Sequence, residues 1–160
     1  SVLDNLLLAR ALEGEKLATS LFKTSRSAGD EKTHKERVKE WLDFVSLGEK
    51  ANVETRYLSY GQQKLIEIAR VLSAEADLLL LDEPVAGVNP KLEEKIAEIL
   101  RKLKSMGKTI FLIEHDMPFV MNLCDHILVM AEGRIIAEGP PEKIKNNSQV
   151  IEAYLGKTRI

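Results

Sequence analysis

The chain lacks a second cysteine, a long apolar run, an excess of charge of either sign and a phosphate loop, and each absence excludes something. One thiol, Cys124, cannot form an intramolecular disulfide, so a reducing, cytoplasmic setting is the simple reading. The longest apolar runs, such as residues 78–81, are far too short to cross a bilayer. No stretch reads as a basic amphipathic anchor either. Lys and Arg number 23 against 25 Asp and Glu, a formal charge of -2, which is not the basic footprint of a nucleic-acid binder. The start, Ser1-Val2-Leu3-Asp4, has no basic n-region and no cleavage pattern, so it does not read as a signal peptide. It opens directly into a helical repeat, as if cut from something longer. His34 and His126 have no ligand-spaced companions, so no zinc site is expected. No Gly-x-x-x-x-Gly-Lys-Ser/Thr stretch, the loop whose amides cradle phosphates, occurs among the 160 residues.

What is present is an ordinary globular balance, 44% hydrophobic and 30% charged, in a length that suits one sizeable domain. Residues 1–57 read as helices only. Leu3, Leu6, Leu7 and Arg10-Ala11 carry helical spacing, and a second amphipathic helix places Val38, Leu42 and Val45 on one face with Trp41 and Phe44 adjoining. Between them residues 25–30 are a loop by composition. From Leu58 onward helix and strand alternate. Residues 62–72 are helical, with Leu65, Ile68, Ala69 and Leu72 at core spacing. The continuous apolar run 77–82 predicts a strand buried on both faces, and residues 109–113 predict another. Between these strands Asn89 can cap a helix, Pro90 suits its first position and Gly107 its end. Asp116 can cap a short helix ending near Cys124. Residues 126–131 and 134–138 form a hairpin about Glu132-Gly133, and the tail reads as two short helices broken at Asn146-Asn147. Strands separated by helices of this length imply an α/β fold with a mainly parallel sheet.

Three places can carry chemistry. Asp82-Glu83 sits at the carboxyl end of a predicted strand, where ligands of such sheets gather. Neighbouring strand residues point to opposite sides, so a division of labour fits better than a shared proton. Asp82 would orient magnesium through water, and Glu83 would polarise the water attacking a γ-phosphate or accept its proton. Two solvated acids before a proline turn are the plainer alternative. Ser59-Tyr60-Gly61-Gln62 has the spacing of a capping box, and the same helix end could dock a phosphate beside the Ser59 hydroxyl and Gly61 amide. His115, after the next strand, could donate to that γ-phosphate, with Glu114 as a partner or only surface. Gly107-Lys108-Thr109 mimics the end of a phosphate loop but leads into a strand, and is a helix end instead.

Together these segments resemble the nucleotide-binding domain of an ABC transporter. Leu58-Ser-Tyr-Gly-Gln-Gln63 resembles the signature motif, and Leu78-Leu-Leu-Leu-Asp-Glu-Pro84 the Walker B strand with its catalytic glutamate. Ala86-Gly87-Val88-Asn89 resembles the D-loop and His115 the switch histidine. Tyr60, where many relatives have glycine, Asn89-Pro90, Ile113-Glu-His-Asp-Met117 and Val150-Ile-Glu-Ala-Tyr-Leu-Gly156 point to the ATPases of branched-chain amino-acid uptake. Lipopolysaccharide-export ATPases share much of this and are the nearest rival.

The resemblance implies the C-terminal part of a P-loop NTPase fold. Residues 1–72 would form a helical subdomain ending in the signature helix, and residues 73–160 the Walker B and H-loop half of the ATPase core. It implies ATP and Mg²⁺ as ligands. It implies a second nucleotide-binding subunit in a head-to-tail dimer and transmembrane permease subunits as partners, with no nucleic acid and no direct membrane insertion. Its place would be peripheral, on the cytoplasmic face of the inner membrane. The family's phosphate loop, adenine-stacking aromatic and glutamine loop precede the signature and are not found in these residues. The 160 residues alone are therefore expected not to hydrolyse ATP, and to hide bare sheet edges by self-association. A non-enzymatic assembly module that lends its signature to a complete partner is the alternative from another class. A soluble ABC-type ATPase acting on DNA or ribosomes is disfavoured by the neutral charge and the lack of a long coiled-coil insertion.

Overall fold

The computed structural model describes residues 1–14 and 28–155, and of the side chains those of residues 1–9 and 32–153. The chain divides into two compact units, residues 1–112 and 113–160.

The first unit begins with helices α1 (Val2–Gly14) and α2 (Ala28–Phe44), which pack against each other and against α3 (Tyr60–Ser73). The apolar spacing read from sequence is the packing stripe. Val2, Leu6, Val38, Leu42, Val45 and Ala69 are fully buried, and Leu65, Ile68 and Leu72 nearly so. Trp41 and Phe44 meet edge to face with ring centroids 5.7 Å apart. The loop expected over residues 25–30 falls partly outside the described residues, and Ala28–Asp30 are helical, the first turn of α2. Two single 3₁₀ turns, Gly48–Lys50 and Thr55–Tyr57, bring the chain to α3.

Strand β1 (Leu78–Asp82), helix α4 (Pro90–Ser105) and strand β2 (Thr109–Ile113) follow, and the two strands pair. The Thr109 amide donates to the Asp77 carbonyl (2.8 Å), and Lys108 Nζ lies 3.0 Å from Asp77 Oδ1. Both strands thus start side by side, the arrangement of a parallel pair with a helical crossover. Helix α4 starts where predicted. Asn89 Oδ1 accepts from the Leu92 amide at 3.0 Å, and Pro90 takes the first helical position. It ends at Ser105, and Gly107 just beyond its cap has a φ of +86°, one that only glycine adopts without strain.

One expectation fails here. β1 is not buried on both faces. Leu79 and Leu81 are buried, whereas Leu78 is 51% and Leu80 66% exposed. β2, also expected to be buried, has no buried residue: Phe111 and Ile113 are exposed, and Ile110 and Leu112 half-buried. A run of leucines records that both faces favour burial, and it cannot record whether a covering layer lies among the same residues.

The second unit holds α5 (Met117–Leu123), the antiparallel strands β3 (Ile127–Ala131) and β4 (Arg134–Gly139), α6 (Pro141–Lys145) and α7 (Ser148–Leu155). Asp116 caps α5 by accepting from the Phe119 amide at 2.9 Å. The hairpin turns at Glu132 and Gly133, both with positive φ, the two left-handed residues that a tight hairpin turn of matching twist requires. Ile127, Val129 and Ala137 point inward and join Val120, Ile144 and Val150 in one core. The fold is thus α/β as expected. Among the described residues its sheet content is two pairs of strands, the first parallel and the second antiparallel.

Candidate functional site

The amino end of α3 is built by Ser59. Its backbone is extended (φ -63°, ψ 157°), its Oγ accepts from the Gln62 amide at 3.4 Å, and its own amide donates to Gln62 Oε1 at 3.0 Å. This is the reciprocal capping box that the spacing predicts. Two orphan amides are satisfied, and the remaining first-turn donors keep the positive end of the helix dipole facing outward. Gly61 is there for space: a Cβ on it would stand 2.5 Å from Leu92 Cδ2 on α4. The capping box and the phosphate dock read from sequence are compatible, because both need an extended residue with a short hydroxyl at the cap.

The second part is the turn that follows β1. Asp82 and Glu83 are exposed, while Pro84 and Val85 are buried behind them. Glu83 has φ +46°, the left-handed region, where a side chain other than glycine's is strained. The Glu83 carbonyl accepts from the Ala86 amide at 3.2 Å, which closes the turn, and Gly87 leaves it with φ +71°. Asp82 contributes to a cleft of about 170 Å³ whose lining includes Lys64, Glu67, Leu80 and Pro84.

These two parts touch. Tyr60 Oη donates to the Ala86 carbonyl at 2.9 Å, and Lys64 Nζ donates to the Glu83 carbonyl at 3.4 Å. Lys64 Nζ also lies 5.9 Å from the centre of the Tyr60 ring. The sequence reading passed over Lys64. Its signal was position, one turn beyond Tyr60 on the same helix face. Ser59, Tyr60, Gly61, Gln62, Asp82, Glu83, Ala86, Gly87, Val88 and Asn89 all lie in the first unit, and the contacts above join its two motif segments.

His115 lies in the second unit, just beyond β2 and before the Asp116 cap, with its side chain 71% exposed. Glu114, which the sequence left open between partner and surface, is the reverse. Its side chain is 1% exposed, and its Oε2 accepts from the His115 amide at 3.2 Å with the imidazole Nδ1 3.9 Å away. The buried carboxylate holds the backbone of the residue that carries the exposed imidazole.

Comparison with known proteins gives this arrangement a context. Residues 5–86 match the family described as ABC transporter, and residues 134–159 the one described as branched-chain amino acid ATP-binding cassette transporter. A high-affinity branched-chain amino acid transport ATP-binding protein of Pseudomonas aeruginosa is 43% identical over 160 residues, 98% of this chain and 62% of its own length. A probable branched-chain amino acid transport ATP-binding protein of Archaeoglobus fulgidus is 42% identical over 98% of this chain and 60% of its own. The crystal structure of the ADP conformation of an ATP-binding cassette of an ABC transporter superposes with a TM-score of 0.79 at 37% identity, covering 98% of this chain and 63% of that one. The chain thus spans about three fifths of the length of the curated relatives it matches. With more than half of its residues inside the family match, and with the fold of a cassette, the chain belongs to the ABC transporter family.

Proposed function

We propose that these residues are part of the ATP-binding and ATP-hydrolysing subunit of a transporter that takes up branched-chain amino acids. One observation carries the reading: the capped amino end of α3 is fastened through Tyr60 to the turn that presents Asp82 and Glu83, in a chain of this family. The names of the relatives and the match over residues 134–159 favour amino-acid uptake over lipopolysaccharide export.

In this reading residues 1–72 are the helical subdomain with the signature, and residues 73–160 the Walker B and H-loop half of the core. The Ser59 hydroxyl and the Gly61 amide, with Tyr60 and Gln62 shaping the helix end, dock the γ-phosphate of ATP held by a second nucleotide-binding subunit, head to tail. Residues 86–89 form the D-loop beside it. At the nucleotide held by its own subunit, Glu83 polarises the attacking water or takes its proton, and His115 donates to that γ-phosphate. Asp82 suits Mg²⁺, because an exposed carboxylate at an open cleft leaves room for the waters that this ion retains. Asp82 would hold the ion through its waters, and the ion would supply positive charge against the phosphates during transfer.

Transmembrane permease subunits would hold the assembly at the cytoplasmic face of the inner membrane, with no direct insertion and no nucleic acid. Among the described residues no helix is long and apolar enough to cross a membrane.

The test joins these 160 residues to the phosphate-loop segment of the Pseudomonas relative. Expected is magnesium-dependent ATP hydrolysis that Glu83→Gln abolishes while ATP binding survives. Hydrolysis indifferent to Glu83→Gln sinks the assignment. The 160 residues alone should be silent in a single-turnover assay. Hydrolysis there that depends on magnesium and Glu83 would refute the need for a phosphate loop from elsewhere.

A further inference from the structure

The turn from Glu83 to Gly87 is held at both ends by one helix. Glu83 and Gly87 both have left-handed backbones, φ +46° and +71°. Gly87 adopts this conformation freely, whereas Glu83 keeps it only where its surroundings over-determine it. Two main-chain acceptors do so here: the Glu83 carbonyl receives Lys64 Nζ at 3.4 Å, and the Ala86 carbonyl receives Tyr60 Oη at 2.9 Å. The donors are four residues apart on α3 and so stand on one face, one turn above the other. The Tyr60 ring also backs the turn, since a Cβ on Gly87 would meet its Cε1 and Oη at 3.5 Å. The Lys64 side chain is only 15% exposed, with its ammonium 3.8 Å from the exposed Glu67 carboxylate and 5.9 Å from the centre of the Tyr60 ring. The base of this strut is the capping box at Ser59 and Gln62.

We propose that Tyr60 and Lys64 are positioning residues that make the amino end of α3 and the Glu83–Gly87 turn one mechanical unit. A glycine at position 60 has no atom with which to do this. The consequence rests on the function proposed above. The helix end would serve a nucleotide held by the second subunit, whereas Glu83 would serve the nucleotide of its own. The strut then fixes the Glu83 carbonyl relative to the helix end that would meet the phosphate. Neither donor touches a reacting atom. Each acts through the backbone that carries Glu83.

The experiment has two arms. In the full 160-residue chain, amide relaxation by NMR reads the order of Ala86 and Gly87 in Tyr60→Phe, Lys64→Met and Lys64→Arg. Tyr60→Phe and Lys64→Met should loosen both amides, while Lys64→Arg keeps them ordered. Unchanged order in the first two overturns the proposal. In the phosphate-loop fusion, Tyr60→Phe should lower kcat by about two- to tenfold at unchanged KM for ATP, the loss expected when one net hydrogen bond no longer holds the productive geometry. A raised KM with kcat intact, or a kcat that ignores Tyr60→Phe, overturns it as well. If Glu83→Gln leaves hydrolysis intact, the functional assignment falls by itself, and the relaxation comparison still decides the strut.

Discussion

Gly61 and Leu92 are packed so closely that a methyl group on the glycine would lie 2.5 Å from Leu92 Cδ2. This contact brings the capped amino ends of α3 and α4 together. The obstructing atom is the far end of a half-buried leucine, so the clash can be relieved by a rotamer change. Gly61→Ala should therefore cost about 1 kcal/mol in urea unfolding, the low end of the range for overpacking, because the gain in helix propensity offsets part of the clash. Leu92→Ala should absorb that loss, giving a coupling of roughly 0.5–1 kcal/mol in the double-mutant cycle. If the Gly61 amide must also approach a phosphate, the double variant regains stability but not ATP hydrolysis in the fusion. Recovery of both would reduce Gly61 to a packing residue.

Ser59 has two separable duties, and aspartate separates them. Ser59→Ala removes the acceptor for the Gln62 amide and should cost about 1 kcal/mol. Ser59→Asp restores an acceptor of equal rank at the cap, so thermal unfolding should return close to that of the parent chain. The same carboxylate repels a phosphate brought to the helix end. Hydrolysis by a complete cassette whose own signature serine is disabled should be rescued by the fusion carrying Ser59, and not by Ser59→Asp. Equal rescue by both would confine Ser59 to capping.

Glu83 pays for its position in backbone strain. At φ +46° a glycine is relieved of the clash that a Cβ suffers, while the unfolded chain gains freedom that partly offsets the relief. Glu83→Gly should thus be more stable than Glu83→Gln by about 0.5–1 kcal/mol, although both lack the carboxylate. A glycine variant no more stable than the glutamine one would mean that the turn is relaxed, and that the strained residue is not being held for its side chain.

How far these features could be read from sequence depends on how local their causes are. The capping box at Ser59 and Gln62, the Asn89 and Asp116 caps and the turn at Glu132-Gly133 were legible because each is settled within four residues. The helix stripes through Val38, Leu42 and Leu65 were legible because periodicity reports which face is covered. The Tyr60–Ala86 and Lys64–Glu83 contacts were not, since they join residues 26 and 19 apart and depend on where α3 comes to rest. Glu114 was not legible either. A carboxylate next to an exposed histidine looks like surface until its burial is seen.

The four leucines of β1 give the most direct check on this difference between local and distant causes. Leu79 is 1% exposed and Leu80 66%, although sequence treats them alike. Removing the buried side chain leaves a cavity, so Leu79→Ala should cost about 2–5 kcal/mol. Leu80→Ala removes atoms that already face water and should change stability by no more than about 0.5 kcal/mol in dilute solution. A second copy of the chain laid over Leu78 and Leu80 would change that answer. The Leu80→Ala penalty would then grow with protein concentration, because association stabilises the folded state by mass action. Light scattering on the same samples separates the cases. A monodisperse monomer with a small, concentration-independent Leu80 penalty rules out self-association, and a dimer that Leu80→Ala dissolves establishes it.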